Sequence, residues 1–479
     1  MIRYSFTNLV ILISSVLLSC SSQKAEKNKL KSNETSFRNS YVQINRNNPC
    51  YFELSNGDPY IPIGLNLGGN DMDTVEYYLQ KLSVNGGNFA RFWLSRPLFE
   101  IEKVYGKYSE EKAGNIDKLL NLALKYNIKV KLCLESFRQI IPDRGSFNKP
   151  QYHVKNGGSF NNMDEYINTE AGRKAYLNKV EFFRARYGDH PVVFGWELWN
   201  EMNGIMCKGL WDWNKYMLPE VHKKFPGNLV MQSLGSFDSE DRRPDYQFIS
   251  SLQSNDVAQI HRYINSGSKW GKLDVLLAPM DVLTADAINE VRSYNLSKPL
   301  LMAEVGAVLP DYEGPSELYP LDKEGMLLHD MLFAPFFSGS AGSGHPWYWD
   351  YYIDKNNLWY HFGRFSESVK GINPAEEGFM PLLIYHKRFR IYVLVGKNTI
   401  LAWVRDIKNT WKSELVKGEK PEEISQEKID FTNLIPSSLT KKVRIYNPWT
   451  NVWLDAGNKG DVDLPPFKRS LVIKIEKKN

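Results

Sequence analysis

The chain of 479 residues is poor in cysteine and has no long apolar run after its first twenty residues. Its four cysteines are too widely spaced for a disulfide framework, and neither a Cys-x-x-Cys nor a His-Glu-x-x-His motif indicates a metal site. No later segment approaches the eighteen apolar residues that could span a bilayer. The 60 Lys and Arg residues exceed the 55 Asp and Glu residues by only five, so a nucleic-acid-binding surface is not expected.

Aromatic residues, in contrast, are abundant. The chain has 13 Trp, 26 Tyr and 24 Phe. Such rings can fill a large core, or they can line a groove on which flat ligands stack. Composition alone does not decide between these roles, so they have to be distinguished by the position of each ring along the chain.

The first nineteen residues have the pattern of a signal peptide. Arg3 is followed by an apolar run from Leu9 to Leu18, which is too short and wrongly flanked for a membrane-spanning helix. We therefore expect residues 1–19 to direct secretion and to be absent from the mature protein.

The segment that ends this run, Leu17-Leu18-Ser19-Cys20, resembles the lipobox of bacterial lipoproteins. The resemblance implies cleavage before Cys20, lipidation of that residue and, with Ser21 next to it, anchoring to either face of the outer membrane. Simple cleavage of a soluble secreted protein is the alternative. Residues 20–40 are polar and Lys-rich, and we interpret them as a disordered tether.

Eight short apolar runs then alternate with amphipathic segments. The runs cover residues 60–68, 87–95, 129–136, 192–201, 229–235, 257–264, 299–307 and 345–353. The spacing, roughly 37 residues per unit, predicts an α/β fold of the (β/α)8 TIM-barrel type over residues 41–375. A hairpin at 52–59 is expected to close the bottom of the barrel, and Asp71 to cap the first helix. A doubly wound sheet is disfavoured because no Gly-x-Gly-x-x-Gly follows the first run.

The last hundred residues have a different pattern. Short alternating runs with turn signals predict a small antiparallel β-sandwich over residues 384–479, with a charged loop at 408–430. This domain could bind carbohydrate or only pack against the barrel, and we favour packing.

Two glutamates end apolar runs of the predicted barrel. Glu201 closes the fourth strand and Glu304 lies on the seventh. Chemistry in such barrels occurs at the carboxyl ends of the strands, and a carboxylate there is costly to bury unless it is paired or used. Two carboxylates that face each other are what glycoside hydrolysis requires, one as a proton donor and one as a nucleophile or base.

Five strand segments together resemble clan A glycoside hydrolases, and most of all family 5, which includes cellulases and β-mannanases. They are NFARFW with Arg91, GWELWNE (195–201), HRY (261–263), AEVG (303–306) and WYWD (347–350). The resemblance covers the whole barrel in the right strand order. It implies retention at β-glycosidic bonds without a metal or an organic cofactor.

The resemblance also implies roles for individual residues. Glu201 would be the general acid/base and Glu304 the nucleophile, while Asn200 would bind the sugar 2-hydroxyl. Arg91 and Tyr263 would keep Glu304 ionised and oriented, because a positive charge and a donated hydrogen bond both lower a carboxyl pKa.

The aromatic residues and His261 complete the expected site. His261 would position a carboxyl or a sugar hydroxyl, or only satisfy a core hydrogen bond. Trp347 or Trp349 should lie beneath the cleaved sugar, and we favour Trp349. Trp196 and Trp199 are expected to form an apolar wall that raises the pKa of Glu201. The rings expected at strand ends beside the glutamates are those of Trp93, Trp199, Tyr263, Trp347 and Trp349.

Other assignments stay open at the level of sequence. Arg91 could pair with Glu197 instead, and Glu135 could contact substrate or pair with Arg138. Trp211 and Trp213 fit helix packing better than sugar stacking. Segments 137–165 and 235–256 could wall either a groove for chains or a pocket for chain ends.

The sequence thus predicts a lipid-anchored, monomeric, retaining β-glycoside hydrolase whose partner is a mannan- or glucan-type polysaccharide. An exo-acting β-glycosidase is the alternative within the enzyme class. A non-catalytic, surface glycan-binding lipoprotein is the alternative from another class, and the presence of both glutamates in full motifs disfavours it.

Overall fold

The computed structural model describes residues 37–141, 147–265, 267, 269, 272–435 and 440–478. The predicted signal peptide, Cys20 and all but the last residues of the predicted tether lie outside these ranges. Within them, no helix is long and apolar enough to cross a membrane.

A small antiparallel sheet precedes the barrel and covers its amino-terminal end. It consists of β1 (Val42–Ile44), β2 (Phe52–Leu54) and β3 (Pro59–Tyr60), and β2 and β3 form the hairpin around Asn56-Gly57. Phe52 and Tyr60 both contact the ring of Phe194, at the start of a barrel strand. The turn residues therefore place an aromatic plug under the barrel.

Seven parallel strands in the described part of the chain form the barrel wall. They are β4 (Gly64–Asn66), β5 (Phe89–Trp93), β6 (Lys129–Ser136), β7 (Val193–Asn200), β8 (Leu229–Met231), β9 (Ala258–Asn265) and β10 (Leu300–Val308). β4 to β8 pair in chain order, and β9 pairs with β10. The Asp256 amide donates to the Val230 carbonyl and so links the chain before β9 to β8. These strands match seven of the eight predicted runs.

The eighth predicted strand, 345–353, is not a strand. Only Pro346 forms a bridge, to Val305, and its carbonyl accepts a hydrogen bond from the Asn66 amide, which closes the ring between β10 and β4. Proline has no amide hydrogen to extend the ladder. Tyr348 then adopts a left-handed conformation (φ 63°), and residues Trp349–Asp354 coil into a π-helical turn. The aromatic run has β propensity, but Pro346 and the left-handed conformation of Tyr348 prevent it from forming a strand.

Helices surround this barrel. They are α1 (Met72–Val84), α2 (Glu110–Lys125), α3 (Phe137–Ile140), α4 (Met163–Asn168), α5 (Glu170–Tyr187), α6 (Leu210–Lys224), α7 (Arg243–Ser251), α8 (Met280–Arg292), α9 (Met326–Phe337), α10 (Tyr360–Ser368) and α11 (Pro374–Glu377). Short 3₁₀ turns cover Val154–Asn156, Met202–Ile205, Glu240–Arg242, Asp274–Leu277 and Pro310–Tyr312. The predicted cap of α1 is confirmed, because the Asp71 side chain accepts a hydrogen bond from the Thr74 amide at 2.7 Å.

The carboxyl-terminal residues form antiparallel sheets. The strands are β11 (Met380–Tyr385), β12 (Phe389–Val395), β13 (Thr399–Asp406), β14 (Lys428–Asp430), β15 (Thr440–Asn447), β16 (Val452–Asp455), β17 (Asp461–Asp463) and β18 (Ser470–Lys478). The order in the larger sheet is β11-β12-β13-β18-β15-β16, and β14 pairs with β17. Ile429 of β14 and Val462 of β17 share a hydrophobic core with the larger sheet.

Two boundaries of this region differ from the predicted ones. The first strand starts at Met380, before the predicted residue 384. The predicted loop at 408–430 contains a π-helical turn (Lys412–Val416) and β14. The charged composition hid β14, because a three-residue strand buries only Ile429 and leaves its neighbours exposed.

Buried ion pairs join these sheets to the barrel helices. Arg405 on β13 pairs with Asp330 of α9 at 2.8 Å, and Arg390 on β12 pairs with Asp281 of α8 at 2.6 Å. Both aspartates are buried. An ion pair removed from water in this way is strongly destabilising when one partner is lost.

Candidate active site

Glu304 lies on β10 inside the ring of strands and has partners on both carboxyl oxygens. Arg91 Nη1 lies 2.5 Å from Oε1, and the Tyr263 hydroxyl donates to Oε2 at 2.7 Å. A register shift between Met302 and Glu304 re-aims the side chain at this point of the strand. The structure therefore brings together the three residues that the sequence predicted to act together.

Arg91 also pairs with Glu197, so both interpretations of this arginine hold at once. Arg91 Nε and Nη2 lie 2.7 and 2.8 Å from the two Glu197 oxygens. Lys131 lies 3.1 Å from the same carboxylate, and the Ser233 hydroxyl donates to it. Burial raises the pKa of Glu197, but Arg91 and Lys131 outweigh it and hold that pKa far below its ordinary value. Glu197 is thus a buried anion that fixes Arg91 from below.

Glu201 follows the last residue of β7 and adopts a left-handed backbone conformation (φ 51°, ψ 50°). This conformation is uncommon for a residue with a side chain and costs roughly 1–3 kcal/mol. It turns the carboxyl towards β9, where His261 Nδ1 lies 3.1 Å from Glu201 Oε1 and 3.7 Å from Glu304 Oε2. His261 therefore contacts the two carboxyl groups, as one of the two expectations had it.

The pKa of Glu201 is shifted in the opposite direction to the expected one. Burial acts to raise its pKa, but the hydrogen bond and charge of His261, together with Arg138 and Arg91, lower it below the ordinary value. The apolar wall that was expected to raise it is absent. Trp196 stacks on Phe225, and Trp199 packs on Tyr176 and Trp213, outside the strand ring. Both tryptophans therefore belong to the helix layer.

The two carboxyl groups are close together. One oxygen of Glu201, one of Glu304 and a nitrogen of His261 lie within 4.8 Å of one another. Three such ligand atoms would also suit a metal ion. However, both Glu304 oxygens already accept hydrogen bonds, from Arg91 and Tyr263, and the Arg91 guanidinium already supplies a positive charge to this carboxylate. The donor set therefore suits a carboxylate pair better than a metal site.

Asn200 lies beside this pair with half of its amide engaged. Its Oδ1 accepts from Arg91 Nη2 at 2.6 Å, whereas its Nδ2 is buried without a hydrogen-bond partner among the described residues. A buried donor without a partner is costly in a resting protein and is explained when a ligand supplies the acceptor.

Three tryptophans form an aromatic wall near Glu304. Trp93 lies 4.8 Å from Trp347, and Trp347 lies 5.5 Å from Trp349, between ring centroids. The guanidinium of Arg96 lies within 6 Å of all three rings. Sequence reasoning missed Arg96, although its position two residues after Leu94, just beyond the end of β5, is the signal that could have found it.

Glu135 plays neither of the two roles considered for it. It is buried, and Lys179 of α5 lies 2.7 Å from its carboxylate, while the Tyr152 hydroxyl donates to it at 3.1 Å. Desolvation raises the pKa of Glu135 to about 7. It therefore faces the helix layer, not substrate or Arg138. Trp213 is fully buried in that same layer, which matches the packing role predicted for it.

A cavity of about 330 Å³ opens beside Glu201. Both segments that were predicted to wall the cleft contribute to it, through Arg138 from the first and Asp238 and Arg242 from the second. Met206 and Tyr312 line it as well. Glu201 is therefore reached from a concave surface, as is usual for ligand-binding sites.

The fold of this chain is similar to that of a solved glycoside hydrolase. The chain is similar to the crystal structure of a glycoside hydrolase family 5 protein from Bacteroides vulgatus ATCC 8482, with a TM-score of 0.58 and 13% identity, covering 92% of this chain and 93% of that one. At this identity the likeness establishes the shared fold.

Curated relatives are more similar in sequence but match over a shorter length. Mannan endo-1,4-beta-mannosidase 1 of Arabidopsis thaliana is 27% identical over 265 residues, 49% of this chain and 62% of the relative. Mannan endo-1,4-beta-mannosidase 4 of Oryza sativa subsp. japonica is 23% identical over 348 residues, 64% of this chain and 69% of the relative. The chain thus spans less than two thirds of the Arabidopsis relative. No family model matches the chain.

Proposed function

We propose that this protein is a retaining β-glycoside hydrolase that cleaves a β-linked, mannan-type polysaccharide by double displacement. The observation that carries the proposal is the spacing of the two carboxyl groups, whose facing oxygens lie within 4.8 Å. Retaining enzymes hold their carboxyl groups about 5–5.5 Å apart, whereas inverting enzymes need about 6.5–9.5 Å to admit a water.

In the first step Glu304 attacks the anomeric carbon and Glu201 protonates the departing oxygen. Arg91 and Tyr263 orient the attacking carboxylate. The C–O bond to the leaving sugar breaks as the ester bond to Glu304 forms. The wall formed by Trp93, Trp347 and Trp349 supplies apolar surface for the sugar bound there.

In the second step Glu201 accepts a proton from water, which attacks the anomeric carbon and releases Glu304. The same carboxyl thus serves as acid and then as base. The hydrogen bond and charge of His261 lower the pKa of Glu201 and so favour the form that acts as base in this step.

The mannan-type substrate is supported by the relatives, which are endo-1,4-beta-mannosidases. A glucan-type substrate is the alternative. Endo action is the form of activity that we propose, and product analysis tests it. Oligosaccharides of several lengths should appear early in digestion of polymer, whereas release of monosaccharide alone would indicate an exo-acting enzyme.

The main test of the proposal is the turnover of two variants. Glu304→Gln should lower kcat/KM on β-mannan by at least about 10⁵-fold, because no nucleophile remains. Glu201→Gln should lower it by about 10²–10⁴-fold, and by much less on an aryl glycoside whose leaving group needs no protonation. Full turnover by both variants would contradict the proposal.

We propose further that the carboxyl-terminal sheets form a β-sandwich whose role is to pack against the barrel. The pairs Arg405–Asp330 and Arg390–Asp281 support this, because truncation would leave two buried aspartates without their cations. A chain that ends at Glu377 should be insoluble or lose several degrees in Tm. A soluble truncated chain that loses only affinity for polymer would instead indicate a binding module.

The site of action is proposed from the sequence alone. Cys20 would carry a lipid that anchors the protein to the outer membrane, on its cell-surface or periplasmic face. Replacing Cys20 by Ala should move the protein from the membrane fraction to the soluble fraction. Unchanged fractionation would contradict lipid anchoring.

A further inference from the structure

The cavity beside the catalytic pair belongs to the leaving-group side. Glu201, the proposed proton donor, lines it, whereas Glu304 does not. In the double displacement the donor lies against the departing oxygen and the nucleophile against the opposite face of the cleaved sugar. A sugar in this cavity is therefore the one that leaves first.

Two arginines line this cavity without a direct ion pair to the described residues, although Arg138 acts electrostatically on Glu201, and Arg242 on Asp238 and Asp245. Arg138 is exposed on α3, and Arg242 is half-buried in the 3₁₀ turn before α7. Neither guanidinium forms an ion pair or a hydrogen bond with any residue in the ranges that the structure describes; Arg138 only lies 5.0 Å from the centroid of the Phe137 ring.

Arginines nearby behave differently. Arg243, the next residue in the chain, pairs with Glu290 and Glu240, and Arg262 pairs with Asp286. Within the described residues, the lack of a direct ion pair is thus a property of the two cavity arginines and not of every arginine in this part of the molecule.

The carboxylates in the cavity do not hydrogen-bond to the two guanidinium groups. Asp238 accepts from the Tyr312 hydroxyl at 2.7 Å, and burial raises its pKa above the ordinary value. Glu201 contacts His261. Guanidinium groups bind carboxylate and sulfate oxygens through paired, charge-assisted hydrogen bonds. A substrate with such oxygens would supply what the protein leaves out.

On the basis of the proposed function, we infer that the glycan carries an anionic group, a uronic-acid carboxylate or a sulfate ester, on a sugar at the leaving-group side. Arg138 and Arg242 bind that group. The enzyme then distinguishes acidic from neutral β-glycans by the sugar that leaves in the first step. The aromatic wall of Trp93, Trp347 and Trp349, together with Asn200, makes the same contacts to the cleaved sugar in both kinds of substrate.

The test compares matched β-linked oligosaccharides that differ only in the sugar on the reducing side of the cleaved bond: neutral, uronic or sulfated. We expect kcat/KM for the better acidic substrate to exceed that for the neutral one by about tenfold or more. Arg138→Gln and Arg242→Gln should each remove most of this preference, measured as the ratio of kcat/KM for the acidic and the neutral substrate within the same variant. Equal rates on all three substrates, or an unchanged preference in both variants, would overturn the inference.

A control variant separates specific binding from net charge. Arg184→Gln removes the same charge from the exposed surface of α5, where Arg184 pairs with Glu181. The Arg184→Gln variant should keep the preference for the acidic substrate. Loss of that preference in this variant would count against the inference. Comparing the uronic with the sulfated substrate identifies which anion is bound. If the proposed function itself fails, none of the substrates is cleaved; if only this inference fails, the neutral one is cleaved as well as the others.

Discussion

The two halves of the proposed catalytic pair, Glu304 as nucleophile and Glu201 on the leaving-group side, are built differently. In the nucleophile half, the Glu304 side chain is 5% exposed, and both its oxygens are hydrogen-bonded to Arg91 and Tyr263. In the leaving-group half, the Glu201 side chain is 13% exposed, its carboxylate hydrogen-bonds to His261 alone among the described residues, and it opens onto the cavity.

The difference indicates which contacts the protein supplies and which the substrate must supply. A nucleophile works best when fixed dipoles and charges are already in place before the reaction. A proton donor must exchange its proton in each cycle, so a looser contact with a single histidine suits it. Predictions that perturb one half and spare the other therefore sharpen the comparison.

The largest effect is expected for Glu197→Gln, below the nucleophile half. It leaves Arg91 and Lys131 buried without their shared anion, so the free energy of unfolding should fall by about 3 kcal/mol or more. The activity should fall as well, because Arg91 loses the partner that fixes it. Urea denaturation and kcat/KM measure the two effects.

The matched change in the leaving-group half is Asp238→Asn. Asp238 has a hydrogen bond from Tyr312 but no ion pair within 4 Å among the described residues. Its loss of stability should be about 1 kcal/mol or less. Similar losses in the two variants would show that the halves do not differ in the way described.

A smaller effect is expected for His261→Gln and concerns the pH profile. The hydrogen bond and charge of His261 lower the pKa of Glu201, so their removal should raise it. Because the acid form of Glu201 is required in the first step, the alkaline limb of kcat/KM should move to higher pH.

Tyr263→Phe is the control for this shift. The Tyr263 hydroxyl contacts Glu304 and leaves the contact between His261 and Glu201 untouched. The kcat/KM of Tyr263→Phe should fall, while the alkaline limb of its pH profile should stay at the same pH. An alkaline limb that moves in Tyr263→Phe but not in His261→Gln would refute the assignment of the limb to Glu201.

Most of the nucleophile half could be predicted from the sequence. Arg91, Tyr263 and Glu304 lie in strands whose register is set by apolar residues, and parallel strands bring their carboxyl ends to one edge. Glu197 was recognised for the same reason, since it lies four residues before Glu201 on one strand. In a regular strand, the position of a residue in the sequence determines where its side chain lies.

Apart from Glu201, which was predicted from its place at the end of a strand, the leaving-group half could not be predicted in this way. Glu201 itself has a left-handed backbone, which turns its side chain out of the strand pattern. Trp199, expected among the rings at strand ends beside the glutamates, packs against the helix layer, and Arg242 comes from a 3₁₀ turn that has no periodicity. Residues beyond the strand ends depend on turns whose direction the sequence pattern does not specify.

The smallest effect tests where the two halves meet, at Asn200. Its Oδ1 is held by Arg91, and its buried Nδ2 lacks a partner. If Nδ2 donates to the sugar 2-hydroxyl, Asn200→Ala should cost about tenfold in kcat/KM on an ordinary substrate and little on its 2-deoxy analogue. Asn66→Ala is the matched control, because Asn66 also accepts from Arg91, at 3.0 Å, but its Nδ2 already donates to the carbonyls of Ala303 and His345. Its effect should be the same on both substrates, since it removes support for Arg91 and no contact with sugar. Equal losses on both substrates for Asn200→Ala would mean that Asn200 only supports Arg91, and that the nucleophile half is complete without substrate.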